Sequence, residues 1–156
     1  MAEAKDLLDR WWQLIEARDI DGVVELFSPD CDFVLPGSRF RGPGELKPFL
    51  QNYLTAFPDL HFDVTDGVAS DQAVAVEVRS SGTQTGALGT PRGSLPATGT
   101  KVTFQSCIYA KVQDGKFTAW HTYFDHPAWV GPSLRELAKR VGTLAVNAVR
   151  SRLPRR

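Results

Sequence analysis

The chain has 156 residues, 42% of them apolar and 23% charged, which fits one soluble globular domain with its own core. Eighteen basic and eighteen acidic side chains cancel, so no global field recruits nucleic acid or an anionic membrane. No apolar run reaches the length a bilayer span needs, and the acid-bearing amino terminus lacks the apolar stretch of an export signal; the chain is expected to be cytoplasmic.

The opening segment predicts an amphipathic helix, because Leu7, Leu8, Trp11, Leu14 and Ile15 recur at three- and four-residue spacing. Trp11 and Trp12 are adjacent, so one faces the core and the other an edge or a pocket. Asp19 or Asp21 can cap a short second helix over 22–27. Ser28-Pro29-Asp30 ends it, and a strand is expected over 31–35. Residues 36–44 hold three glycines and two prolines and read as a loop carrying Arg39 and Arg41. A third helix is expected over 45–57, with Leu46, Phe49, Leu50, Tyr53, Leu54 and Phe57 as its apolar stripe.

The period then changes from helical to alternating. Leu60, Phe62 and Val64 oppose His61, Asp63 and Thr65, and Val74, Val76 and Val78 oppose Ala75, Glu77 and Arg79. Residues 83–98, rich in Gly, Thr, Ser and Pro, predict a long loop, which in a compact domain carries function or moves. A long strand over 100–112 turns at Asp114-Gly115 into an antiparallel partner over 117–125. Ser133 can cap a last helix reaching about Val149, and the tail from Ser151 to Arg156 is basic. This order predicts an α+β fold with helices on one face of a curved, mostly antiparallel sheet. Residues 1–130 form the domain, and 131–156 a C-terminal helix with its tail.

The proton chemistry is concentrated in the last strand. Strict alternation puts Phe117, Ala119, His121, Tyr123 and Asp125 on one face, and Thr118, Trp120, Thr122 and Phe124 on the other. An imidazole, a phenol and a carboxylate at successive alternate positions make an acid/base set. Asp125 reads equally well as a structural cap of the turn before Pro127. Gln105, Cys107 and Tyr109 share one face of the preceding strand and Ser106 and Ile108 the other; if the polar set faces inward, Gln105 and Cys107 line the site. Glu77 and Arg79 are expected on the outer sheet face. Cys31 and Cys107 read as small buried thiols and not as a disulfide. No cluster has metal-ligand spacing, and no glycine-rich loop opens a helix as nucleotide binding requires. Trp120 and Phe124, if they face outward, leave an apolar patch that a second copy would cover.

The order of elements resembles the nuclear transport factor 2-like superfamily, and the local sequences resemble its SnoaL-like polyketide cyclase branch. The likeness is carried by Arg10-Trp11-Trp12-Gln13 running on to Ala17-Arg18-Asp19-Ile20-Asp21-Gly22, by Phe57-Pro58-Asp59-Leu60, by the Gly/Thr-rich stretch from Ser81 to Val102, and by the final hairpin from Asp114 to Asp125. It covers roughly residues 8–130. The resemblance implies a cone-shaped fold, a homodimer through the outer sheet face, and a buried pocket between helices and sheet. It also implies a carboxylate near the end of the last strand that closes a ring by aldol chemistry, without metal or cofactor. Asp125 matches that carboxylate, and His121 stands where many members have an aromatic ring. Phe33 and Leu35 occupy first-strand positions that are often polar in the cyclases.

These readings converge on a cofactor-free cyclase or isomerase for a hydrophobic, oxygenated, polyketide-like molecule. Asp125, His121 and Tyr123 would move protons, and Trp11, Trp12, Phe33, Leu35, Tyr53, Phe57, Gln105 and Cys107 would bind. Two alternatives stand beside it: a non-catalytic dimeric module that binds a small ligand, and an epoxide-opening enzyme of the limonene epoxide hydrolase-like type. The last needs Glu77 and Arg79 turned inward.

Overall fold

The computed structural model describes residues 3–90 and 93–124. Helix α1 (Glu3–Glu16) and helix α2 (Ile20–Glu25) lead into strand β1 (Phe27–Leu35), the short strand β2 (Ser38–Arg41) and helix α3 (Pro43–Ala56). Then follow β3 (His61–Ala69), β4 (Ala73–Thr83), the small hairpin β5 (Leu88–Thr90) and β6 (Gly93–Leu95), and the long strands β7 (Lys101–Gln113) and β8 (Lys116–Phe124). The last helix expected over 133–149, the tail and Asp125 lie outside the described residues. Among the described residues, no helix is long and apolar enough to cross a membrane.

The main sheet runs β2-β1-β8-β7-β4-β3. Every pair is antiparallel except β1 with β8, which is parallel. This is the curved α+β sheet with N-terminal helices that the sequence predicts. One face carries Val74, Val76 and Val78 from β4 and Ile108, Ala110 and Val112 from β7, all buried. Leu8, Trp11 and Ile15 of α1 close over it in one cluster. A second cluster of Ala56, Phe57, Leu60, Leu88 and Val102 lies at the far end of α3.

Local chemistry explains the boundaries. Asp19 caps α2 by accepting from the Gly22 amide at 2.9 Å. The β7–β8 turn has φ +52° at Asp114 and +70° at Gly115, the pair of positive angles a two-residue hairpin needs. The loop expected over 36–44 contains β2: Gly37, at φ +78°, turns the chain back on itself, so Phe33 pairs with Phe40. Strand β1 begins at Phe27 and not at Cys31, with a register irregularity between Phe27 and Asp32 that absorbs Pro29. The long loop expected over 83–98 holds the β5–β6 hairpin. That hairpin docks on α3 through Asn52, whose amide accepts from the Gly89 N–H and donates to the Gly89 carbonyl, both at 2.9 Å.

Candidate functional site

An open, apolar pocket of about 750 Å³, counting its mouth, lies between α1, α3 and the inner sheet face. Trp11 closes it from α1, and Leu46, Phe49, Leu50 and Tyr53 from α3. The strands supply Phe27, Phe33 and Leu35 from β1, Phe62 from β3, Phe104 and Ile108 from β7, and Trp120 and Phe124 from β8. Aromatic contacts hold this wall. Trp11 and Trp120 ring centroids are 4.8 Å apart, Phe33 stacks on Phe40 at 4.9 Å, and Phe49 stacks on Tyr53 at 6.1 Å. The polar wall groups are hydroxyls: Ser80, Ser106, Thr122 and Tyr53. Among the described residues, no carboxylate, imidazole, ammonium or guanidinium lines the pocket.

The last strand presents the face opposite to the one alternation predicts. Across β7–β8, Lys111 pairs with Ala119 while Val112 pairs with Phe117, so Thr118 is an extra residue. One extra residue exchanges the two faces of everything after it. Phe117 is fully buried, and beyond the bulge Trp120, Thr122 and Phe124 face inward. Ala119, His121 and Tyr123 lie on the outer face. The apolar outer patch expected from Trp120 and Phe124 is therefore not there; both rings are pocket wall.

On the outer face, His121 Nε2 lies 3.4 Å from Asp32 Oδ2. Asp32 in turn accepts two hydrogen bonds from Arg39, at 3.0 Å from Nε and 2.9 Å from Nη2. Those bonds, with a smaller part from His121, hold the Asp32 carboxyl below its ordinary pKa. The Tyr109 and Tyr123 rings flank His121 at 6.1 and 6.5 Å. Tyr123 is 54% exposed. It borders a shallow polar concavity with Gln105, Cys107, Glu77 and Thr65.

The binding set expected from sequence thus divides. Trp11, Phe33, Leu35 and Tyr53 are on the pocket wall. Phe57 is buried in the second cluster, and Trp12 packs edge-on against Trp11 at 4.6 Å. Strand β7 turns Ser106 and Ile108 inward and Gln105 and Cys107 outward. Cys107 is exposed, not the buried thiol expected, whereas Cys31 is fully buried. Burial, with Asp32 and Asp30 nearby, pushes the Cys31 thiol up to about 12. Glu77 and Arg79 are exposed on the outer face, as their alternation predicts. Sequence reasoning missed Ser80 and Thr122. Ser80 continues the inward row Val74, Val76, Val78, a signal that alternation alone supplies; Thr122 is found only once the bulge is known. Among the described residues, no group of three His, Cys, Asp or Glu side chains could hold a metal ion.

Residues 8–120 match the family described as SnoaL-like domain. No curated protein matches the sequence. Among solved structures, AclR, a proposed hydroxylase from Streptomyces galilaeus, is 22% identical, with 82% of this chain and 92% of that one covered and a TM-score of 0.68. A proposed SnoaL-like polyketide cyclase from Jannaschia sp. CCS1 is 19% identical over 79% of this chain and 85% of its own, at TM-score 0.69. An LEH-like epoxide hydrolase from M. tuberculosis is 21% identical over 90% and 96%, at TM-score 0.64. One fold thus carries three differently named chemistries, and the site must decide between them.

Proposed function

The chain belongs to the SnoaL-like domain family, of nuclear transport factor 2-like fold, and from that membership and its pocket we propose that it binds a hydrophobic, oxygen-bearing small molecule between α1, α3 and the sheet. The observation that carries this reading is the pocket wall itself: aromatic and aliphatic on every element, with neutral hydroxyls as its polar groups. Such a wall favours a flat apolar body by burial and contact, and hydroxyls orient its oxygens.

The cyclase or isomerase reading needs one further thing, a group that moves a proton at the bound molecule. Asp125 is the candidate. It follows Phe124 at the end of β8, and its support is the match to the strand-end carboxylate of the family's cyclases. An apolar neighbourhood would raise a carboxyl toward the pKa that proton transfer at carbon needs. His121 and Tyr123 stand on the outer face and do not support this step from inside the pocket. The epoxide-opening reading loses its support among the described residues, because Glu77 and Arg79 point away from the pocket.

One experiment separates binding from catalysis. The uncharged dye Nile red should bind in a one-to-one ratio, and Leu50→Trp, which fills the cavity, should weaken it at least tenfold without lowering Tm. Unchanged affinity in Leu50→Trp would remove the pocket from the reading. With a linear poly-β-ketone that can close by aldol addition, Asp125→Asn should lose about 10²- to 10⁴-fold in turnover while still binding Nile red. Equal turnover in Asp125→Asn, or none in the parent, would leave a binding module.

A further inference from the structure

Three hydroxyls on the pocket floor form a line. Thr122 of β8 pairs across the ladder with Ile108 of β7, whereas Ser106, two residues along β7, pairs with Phe124. Ser106 also pairs with Val78 of β4, and Ser80, two residues further along β4, pairs with Phe104. Thr122, Ser106 and Ser80 are thus successive diagonal neighbours on three adjacent strands, each step in the same direction. All three face the pocket. Diagonal neighbours stand roughly 7–8 Å apart, so the row spans about twice that length.

Their surroundings decide what they offer. Thr122 accepts a hydrogen bond from Trp120 Nε1 at 3.1 Å. An indole N–H can only donate, so the Thr122 oxygen serves as acceptor and its proton is left for something else. The bond from the indole polarises that O–H and strengthens it as a donor. Ser80 and Ser106 are 1% and 9% exposed, and among the described residues neither side chain has a hydrogen bond to protein. Neither oxygen is among the buried atoms sealed off without a partner, so both open onto the pocket space, where a bound molecule's oxygens can take their protons. No charged side chain lines the pocket among the described residues, so an ionised ligand would be buried without a counterion.

We propose that Thr122, Ser106 and Ser80 read the ligand: it is uncharged, elongated by at least two fused rings or an equivalent chain, and carries oxygens spaced along one edge that accept from this row. The proposal rests on the pocket reading above and narrows it, from any hydrophobic molecule with oxygen to one whose oxygens keep the row's spacing. Thr122, the polarised donor, meets a carbonyl or ether oxygen; Ser106 and Ser80 meet carbonyls or hydroxyls further along.

The test is displacement of Nile red by three molecules of like shape: naphthalene, 2,7-dihydroxynaphthalene with both oxygens on one edge, and naphthalene-2,7-dicarboxylate. The diol is expected to displace the dye at concentrations at least tenfold below naphthalene, and the dicarboxylate not at all. The two oxygens of the diol reach two neighbouring hydroxyls of the row, so Ser106→Ala, at its centre, and one of Thr122→Val and Ser80→Ala should each cut the diol's advantage roughly five- to tenfold, the worth of one neutral hydrogen bond, without changing naphthalene. Thr122→Ser, which keeps both the acceptor and the donor, should restore it. Equal displacement by diol and naphthalene, loss of both in every variant, or displacement by the dicarboxylate would overturn the proposal while leaving the pocket in place. Failure of Nile red itself to bind would overturn the pocket reading and this one with it.

Discussion

Asp59 shows how a single exposed side chain can pin two elements together. It accepts from the Thr83 amide at 2.6 Å and from the Thr83 hydroxyl at 2.7 Å, tying the end of α3 to the end of β4. Arg18 reinforces the same junction from the other side, donating to the Pro58 and Leu60 carbonyls at 2.8 Å each. The Thr83 bonds favour the ionised carboxyl and hold Asp59 below its ordinary pKa. A folded pKa below the unfolded one gives stability that is present above the unfolded value and lost as pH falls through the folded value. Asp59→Ala should therefore lower Tm at neutral pH. The gap to the parent should close as pH drops below the ordinary carboxylate value of about 4. Thermal melts at a series of pH values check this, and a gap that persists undiminished in acid would mean that Asp59 acts through packing rather than charge.

At the scale of elements, most of the fold was legible because its signals are local. The helices announce themselves by three- and four-residue spacing, Asp19 by its capping chemistry, and the Asp114-Gly115 turn by its residue pair. Strand β7 keeps strict alternation from Val102 to Val112, so either face could be described before the structure chose one. Strand β2 is hidden in a stretch that reads as a loop, because Pro36 and Gly37 are followed by only four paired residues before Gly42 and Pro43. His121 and Tyr123 were misplaced for one reason, the extra residue Thr118. A bulge leaves no mark in residue type, yet it transfers His121 and Tyr123 to the outer face and Trp120, Thr122 and Phe124 to the pocket. Deleting Thr118 would restore strict alternation and force those two aromatic rings out of the core. It is expected to cost more than about 4 kcal/mol, the range reserved for disrupted cores, and to abolish the near-ultraviolet circular dichroism of the tryptophans. Thr118→Ala, which keeps the bulge, should change stability by less than about 0.5 kcal/mol. A cooperative melt for the deletion at the parent's Tm would show that the strand tolerates either register.

For the whole molecule, the question is what meets the open side of the sheet. Its two edges discourage strand addition. Strand β2 is four residues long with Arg39 and Arg41 exposed, and β3 carries Asp63 and Asp66 with a register irregularity between Val64 and Asp66. Charges, shortness and bulges are the means by which natural sheets resist edge pairing. We propose that self-association, which the family resemblance implies, uses the outer face, where among the described residues Tyr123 projects beside Cys107, which pairs in turn with Glu77. The rings first expected to form a patch there line the pocket instead, so a homodimer through this face would be built on Tyr123, Tyr109 and their polar neighbours. We expect such a dimer in sedimentation equilibrium, and we expect Tyr123→Glu to weaken it by at least about 2 kcal/mol, roughly thirtyfold in Kd. Because Tyr123 is half exposed in the single chain, that substitution should leave the monomer's Tm and Nile red binding intact. A parent that sediments as a monomer at every concentration would remove the dimer. A dimer indifferent to Tyr123→Glu would place its interface on some surface other than this one.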